Sequence, residues 1–384
     1  MPISIPLPTS RDRATRSNRI SPGERPIVPG LAAPADALTF AQTQDDAGRV
    51  VTLLVTAYDS DAIDAIDLTG LGARPDLDIF DAAAAVGDTR LMAALTDGTP
   101  RYRYDVPALL AAGAAADRHI ATGTNFAGHA TEAGSRGVFN FPKFGGPTPP
   151  RTTLVVQPDT LMDFEVEIGI RFDRDIRSTA DFEAARKGVF VCGDFTDRAA
   201  LARLIDPKNI ESGRGFTDAK SGSDRFPTGP FLVIPRDWRA FIRNERIVTR
   251  VNGVVRQDAR GGEMILDFEA LVAKALRDGR RRAYVYRGTA TPLLANGIIP
   301  RGTAVMSGTC GGVIFMPPMR EDIVGGLIDH LALGRFLTGR PASASVANRF
   351  VRNERKAGRY LRVGDRVEHL STSMGALMVD LIAP

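Results

Sequence analysis

Two carboxylates separated by one residue open the chemistry. In Asp163-Phe164-Glu165-Val166-Glu167, a strand of period two turns Glu165 and Glu167 to one face and Phe164, Val166 and Ile168 to the other. Like charges held side by side repel unless a cation lies between them. A hard divalent ion with oxygen ligands answers that need; a solvated strand edge carrying two acids is the other reading. A third acid, Asp194, follows the apolar run Gly188–Cys192. A strand end holds a carboxylate rigidly and keeps it accessible. His129 and Glu132 sit three residues apart in a turn-rich stretch. In a helical turn they share a face, and a carboxylate there orients an imidazole as a base. A surface His–Glu contact is the alternative.

These groups need elements to hold them. Short β-branched runs alternate with Gly/Pro turns after residue 118: Thr153–Gln157, Phe164–Phe172, Gly188–Cys192, Gly229–Ile234, Ile247–Val251, Val254–Gln257 and Ala304–Ser307. Asn252-Gly253 is a two-residue hairpin turn, since both residues accept positive φ. Met264–Leu276 reads as a helix, and Arg366–Leu370 with Ala376–Ile382 as a final strand pair. Many short strands with few helices predict an α+β, β-rich sandwich or roll. Residues 31–116 read as a small accessory α/β domain: a strand at Val50–Ala57, a shorter one at Ile63–Asp67, and helices at Ile79–Ala85 and Arg90–Leu95. Residues 1–30, rich in Arg and Pro, read as a disordered or extended tail and not as a secretory signal. The remainder, 117–384, forms the principal domain, with a helical, Arg-rich insertion at about 319–359.

Composition narrows the function. The chain has 384 residues, and 49 Lys+Arg against 45 Asp+Glu leave a net charge of +4, too mild to argue a nucleic-acid binder. No apolar run reaches the roughly 20 residues of a membrane span. Two cysteines, Cys192 and Cys310, exclude a disulfide framework and a cysteine-only zinc site. A reducing cytoplasm is the expected location. His119, His330 and His369 read as structural or packing residues, and Cys310 lacks a base to make it a nucleophile.

In their order along the chain these motifs resemble the fumarylacetoacetate hydrolase family. The stretch Gly123–Glu132 matches Gly-x-Asn-(aromatic)-x-x-His-Ala-x-Glu, and Asp163–Glu167 matches Asp-(Tyr/Phe)-Glu-x-Glu. Phe141-Pro142-Lys143-Phe144, Asp194–Arg198, Lys220-Ser221, Thr228-Gly229-Pro230, Val251–Gln257, Ser307–Val313 and Gly364–Val367 follow in family order. The resemblance implies a mixed β-sandwich roll, often dimeric or of higher order. It implies Mg2+ (or Mn2+) held by Glu165, Glu167 and Asp194. It gives His129, oriented by Glu132, the activation of water, and Lys220 the stabilisation of negative charge. Arg198 would anchor a substrate carboxylate, with Gly308, Thr309 and Phe126 beside the substrate. The implied substrate is a 2-oxo or 2,4-dioxo acid such as an acylpyruvate, cleaved at a C–C bond through a metal-stabilised enolate. Decarboxylase, dehydratase, hydratase and isomerase outcomes share the same site, and a catalytically silent binding protein is a third class. No nucleic-acid or membrane partner is implied.

Four departures stand out. Gly193 replaces an Asn before the metal Asp, Ala199 and Leu201 replace an acid and a Gln, and Cys310 replaces a Pro. Thr122–Gly128 carries no acid, which removes the fourth carboxylate of the longer branch and argues against fumarylacetoacetate itself as substrate.

Overall fold

The structure, a computed structural model, describes residues 26–384 except residues 134–136, 207, 280–282, 335–337 and 340. Its framework is two facing sheets. The larger has ten strands, in the spatial order Tyr102–Asp105, Ala62–Asp67, Val50–Tyr58, Ala37–Gln44, Leu232–Pro235, Lys187–Gly193, Val166–Phe172, Val305–Met306, Arg118–Gly123 and Phe139–Phe144. The smaller has five: Val254–Arg260, Arg246–Val251, Arg366–Ser371, Ala376–Ile382 and Arg151–Val155. Most pairings are antiparallel; Val305 with Ile120, and Ala376–Ile382 with Arg151–Val155, are parallel. The mixed β-sandwich roll with peripheral helices follows from this order.

The strands that carry the site are buried along their whole length. Val166–Phe172 and Lys187–Gly193 are buried at every position, as expected for strands covered on both faces. Asn252 and Gly253 take φ of 50° and 78°, as the hairpin turn requires. The 264–276 helix begins later than its apolar pattern suggests, at Phe268. Asp267 accepts the Ala270 N–H at 2.9 Å and caps it there.

The expected boundary near residue 116 falls inside the large sheet. Ala37–Gln44 pairs with Leu232–Pro235, and one apolar cluster runs from Phe40 and Ile66 to Ile168, Phe190 and Val305. A second cluster under the small sheet includes Phe164, Phe195, Val367 and Leu377. Among its described residues the 319–359 insertion carries two helices, Arg320–Ala332 and Ala342–Ala357. A third cluster packs Phe350 and Val351 of this pair against Leu161, Ala199 and Tyr360. Residues 1–25 of the expected tail lie outside the described residues. The next residues run along the small sheet: Ile27 is buried against Val248 and Leu370, and Gly30 donates its N–H to Ser371 O.

Candidate metal centre and active site

Glu167 lies opposite Cys192 in the antiparallel pair formed by the strands Val166–Phe172 and Lys187–Gly193. That register brings the start of one strand to the end of the other, so Asp194 emerges beside Glu165 and donates its N–H to Glu165 O at 2.9 Å. The continuous strand expected over 164–172 is interrupted. Asp163 pairs instead with Thr196 in a separate two-stranded ladder, and regular pairing resumes at Val166. The three acids of the sequence are thereby brought together. All are buried, and a carboxylate oxygen from each lies within 4.8 Å of the others.

Cations surround them. Lys220 donates to Glu165 Oε2 at 2.6 Å and to Asp194 Oδ2 at 2.7 Å. Lys143 donates to Asp194 Oδ1 at 2.7 Å and to the carbonyls of Lys220 and Arg225. Arg198 donates from Nε to Asp163 Oδ2 at 2.8 Å and from a terminal nitrogen to Glu165 Oε1 at 2.6 Å. Burial works to raise the Glu165 carboxyl, but Lys220 and Arg198 outweigh it, with His129 adding to them, and hold it at about 2. Glu167 has no such partner. Burial and then the Asp194 charge push it well above the usual carboxylate range. Burial lowers Lys143, with Asp194 opposing; at Lys220 the acids Asp194 and Glu165 overcome burial and raise it.

Four buried carboxylates (Asp163, Glu165, Glu167, Asp194) thus face three buried cations. Glu167 Oε1 is buried without a hydrogen-bond partner, whereas its Oε2 accepts the Gly308 N–H at 2.9 Å. An orphaned carboxylate oxygen beside two further acid oxygens is a poor resting arrangement for protein alone. It suits a hard dication bound by oxygen. Mg2+ or Mn2+ fits this donor set.

The Ala127–Ala133 helix carries His129 and Glu132 on one face, Nδ1 to Oε2 at 3.6 Å. Both Glu132 oxygens accept the Gly312 N–H, at 3.1 and 3.3 Å. The dyad is therefore tied to the glycine-rich loop that also touches Glu167.

Other expected site residues are engaged elsewhere. Arg198, expected to anchor substrate, is buried and turned onto Asp163 and Glu165, with its guanidinium 4.9 Å from the Phe315 ring centroid. Thr309 Oγ1 donates to Val166 O at 3.0 Å and accepts from Gln257 at 2.8 Å. Phe126 belongs to the main core and bridges to Met264. Burial raises both cysteine thiols, Cys192 and Cys310, which keeps them unreactive. His330 and His369 are packing residues, bonded to Ser345 and Thr249.

Sequence reasoning missed Lys143 and Asp163 as members of the centre. The available signals were their places in the motifs Phe141–Phe144 and Asp163–Glu167, and for Lys143 its being the one charged residue of Phe139–Phe144.

A mixed β-sandwich roll with a buried cluster of three carboxylates and a His–Glu pair defines the class of fold. The sequence matches the fumarylacetoacetate (FAA) hydrolase C-terminal family over residues 118–381, and the chain belongs to the fumarylacetoacetate hydrolase family. Among curated proteins it is 32% identical over 113 residues to an uncharacterized protein of Staphylococcus aureus (strain USA300), covering 29% of this chain and 34% of that one. The match thus spans about a third of the length of those relatives. A putative HpcE protein from Mycobacterium smegmatis shares the fold at TM-score 0.54 and 19% identity, over 90% of this chain and 99% of that one. A 5-carboxymethyl-2-hydroxymuconate delta-isomerase from the same organism aligns at TM-score 0.53 and 16% identity, over 90% and 100%. Fumarylacetoacetate hydrolase from Exiguobacterium antarcticum aligns at 0.51 and 19%, over 90% and 100%.

Proposed function

We propose that this chain is a divalent-metal-dependent hydrolase of 2,4-dioxo acids, cleaving an acylpyruvate between its acyl carbonyl and the adjacent methylene. Water enters, and a carboxylic acid and pyruvate leave. The observation that carries the reading is the coexistence of the buried Glu165–Glu167–Asp194 cradle with the His129–Glu132 pair. Glu165, Glu167 and Asp194 would hold Mg2+ or Mn2+, which would supply Lewis acidity toward a keto-carboxylate. His129 takes the proton from the attacking water, and Glu132 orients the ring and favours its charged form. Lys220 contributes a fixed positive charge where negative charge develops on the departing pyruvyl oxygen. In this reading Arg198, Gly308 and Thr309 serve the site from behind: Arg198 and Gly308 fix Glu165 and Glu167, and Thr309 fixes the strand between them.

The test is turnover of acylpyruvates of varied acyl length with Mg2+ or Mn2+, followed as pyruvate release. Chelation should abolish it and Mn2+ restore it. His129→Ala should lower kcat by roughly 10²–10⁴-fold with Mn2+ affinity unchanged. Full turnover by His129→Ala, or CO2 release from oxaloacetate without acylpyruvate cleavage, overturns the hydrolase. A relative bearing the isomerase name motivates assaying double-bond migration in the same series.

A further inference from the structure

The helical insertion reaches the metal carboxylates through the hydrogen bonds of Asp163. Its two stems converge on the dipeptide Met162-Asp163. At the leading stem, Ile314 N–H donates to Asp163 Oδ1 and Phe315 N–H to Asp163 Oδ2, both at 3.0 Å. At the trailing stem, Leu361 N–H donates to Met162 O at 3.0 Å. The same Asp163 Oδ2 accepts Arg198 Nε at 2.8 Å, and Arg198 reaches Glu165 Oε1 at 2.6 Å. Phe315 lies over the guanidinium and meets Phe350 of the second insertion helix edge-on, ring centroids 6.2 Å apart. On the other side of the loop Glu132 holds Gly312 N–H. The segment 312–315 is therefore gripped between the carboxylate that orients His129 and the carboxylate that backs Glu165.

We propose that Asp163 is a positioning residue that couples the 319–359 insertion to the metal site, and that Arg198 is the arm through which it acts. This rests on the metal cradle of the proposed function. Asp163 is fully buried and accepts four hydrogen bonds, counting Phe164 N–H at 2.9 Å. Charge-assisted bonds of this kind fix geometry more tightly than neutral ones. Without the Asp163 charge, Arg198 keeps a buried positive charge with a single acid partner and swings toward Glu165. Glu165 Oε1, already bonded to Arg198, is then held harder by the guanidinium and is less available to a metal ion. Groups one step behind a metal ligand commonly carry 10–100-fold in affinity. The packing of Phe350 and Val351 on Ala199, next to Arg198, gives the insertion its leverage.

The experiment is Mn2+ titration of the full chain, without substrate, by electron paramagnetic resonance, with circular dichroism to verify folding. Asp163→Asn should bind Mn2+ roughly 10–100-fold more weakly. Arg198→Lys keeps the charge but loses the two-sided geometry, and should also weaken Mn2+. At saturating Mn2+ its KM should stay within about threefold of the native value, whereas a direct substrate anchor would raise KM by far more. Phe350→Ala, remote from the carboxylates, should weaken Mn2+ by roughly 3–10-fold. It carries the test should Asp163→Asn fail to fold. Native Mn2+ affinity in folded Asp163→Asn, or in Arg198→Lys and Phe350→Ala together, overturns the proposal. Absence of Mn2+ binding by the native chain overturns the cradle itself, a separate result.

Discussion

A methyl group added at Gly193 would meet His369 Cδ2 and Nε2 and Pro227 Cγ, each at 3.0 Å. The residue before Asp194 is thus set by a side chain on the opposite sheet. His369 fills the space, bonds Thr249 at 2.9 Å and lies 5.8 Å from Phe195 between ring centroids. This explains why the Asn expected from family resemblance is absent: a side chain there and His369 compete for one volume. Gly193→Ala should therefore destabilise by about 1–3 kcal/mol, the usual cost of overpacking. Combining it with His369→Ala should cost clearly less than the two losses summed, because the shared contact is removed. Guanidinium unfolding of the three variants measures the coupling. Strict additivity would mean that neither group shapes the other. Residue identity at 193 is legible in the sequence, but its reason sits 176 positions away and is not.

At the scale of elements, what reads out of the sequence is what local physics specifies. Apolar β-branched runs became strands, Asn252-Gly253 became the hairpin turn, and the i, i+3 spacing of His129 and Glu132 survived on a real helix. Glu165 and Glu167 do converge, although the strand that was to hold them begins only at Val166. The short helices Arg198–Leu204 and Phe216–Lys220 hold Arg198 and Lys220, yet at seven and five residues they are too brief for a period to show. Asp163 was invisible as a hub because two of its backbone N–H donors lie 151 and 152 residues on. Gly308 belongs to the legible part, as a glycine in a loop, and its geometry gives the reason. Its φ of 79° is strained for any side chain, a Cβ would sit 3.0 Å from Thr122 O, and its N–H holds Glu167. Gly308→Ala should cost more than about 1 kcal/mol in stability. Mn2+ affinity should fall in parallel, since the donor to Glu167 moves. Calorimetric melting and Mn2+ titration check both; a loss of stability with unaltered affinity would separate the loop from the ligand.

The whole molecule is one continuous large sheet facing a smaller one, and this buries two imidazoles far from solvent. The first 116 residues supply four strands to the large sheet and share its core, a continuity that local pattern cannot reveal because strand pairing across about 190 residues leaves no spacing signal. Burial pushes His369 down to about 3. Burial, with the neighbouring Lys143 charge, pushes His119 down to about 3 as well. An unfolded imidazole titrates near 6.5. Above that pH neither state binds a proton there, so the stability is fully present. Between 6.5 and about 3 the unfolded chain takes up protons that the folded chain refuses, and stability falls as pH falls. Each group contributes a slope of up to about 1.4 kcal/mol per pH unit in that window. Glu165 acts in a different window: its folded value of about 2, against an ordinary 4.5, loses stability only below the carboxylate range. Glu167 opposes them: its raised carboxyl takes up a proton in the folded chain before the unfolded one, so it adds stability as pH falls. Guanidinium unfolding with chelator present, to exclude cation binding, should therefore show the imidazole loss, roughly 1 kcal/mol per group between pH 6 and 5, as a difference between variants. His369→Gln removes one of the two groups and should lose about 1 kcal/mol less than the native chain over that unit of pH. Identical profiles for the native chain and His369→Gln down to pH 5 would show that His369 accepts a proton in the folded chain, and that the interface between the two sheets admits water or charge where the packing of His369 on Gly193 leaves it none.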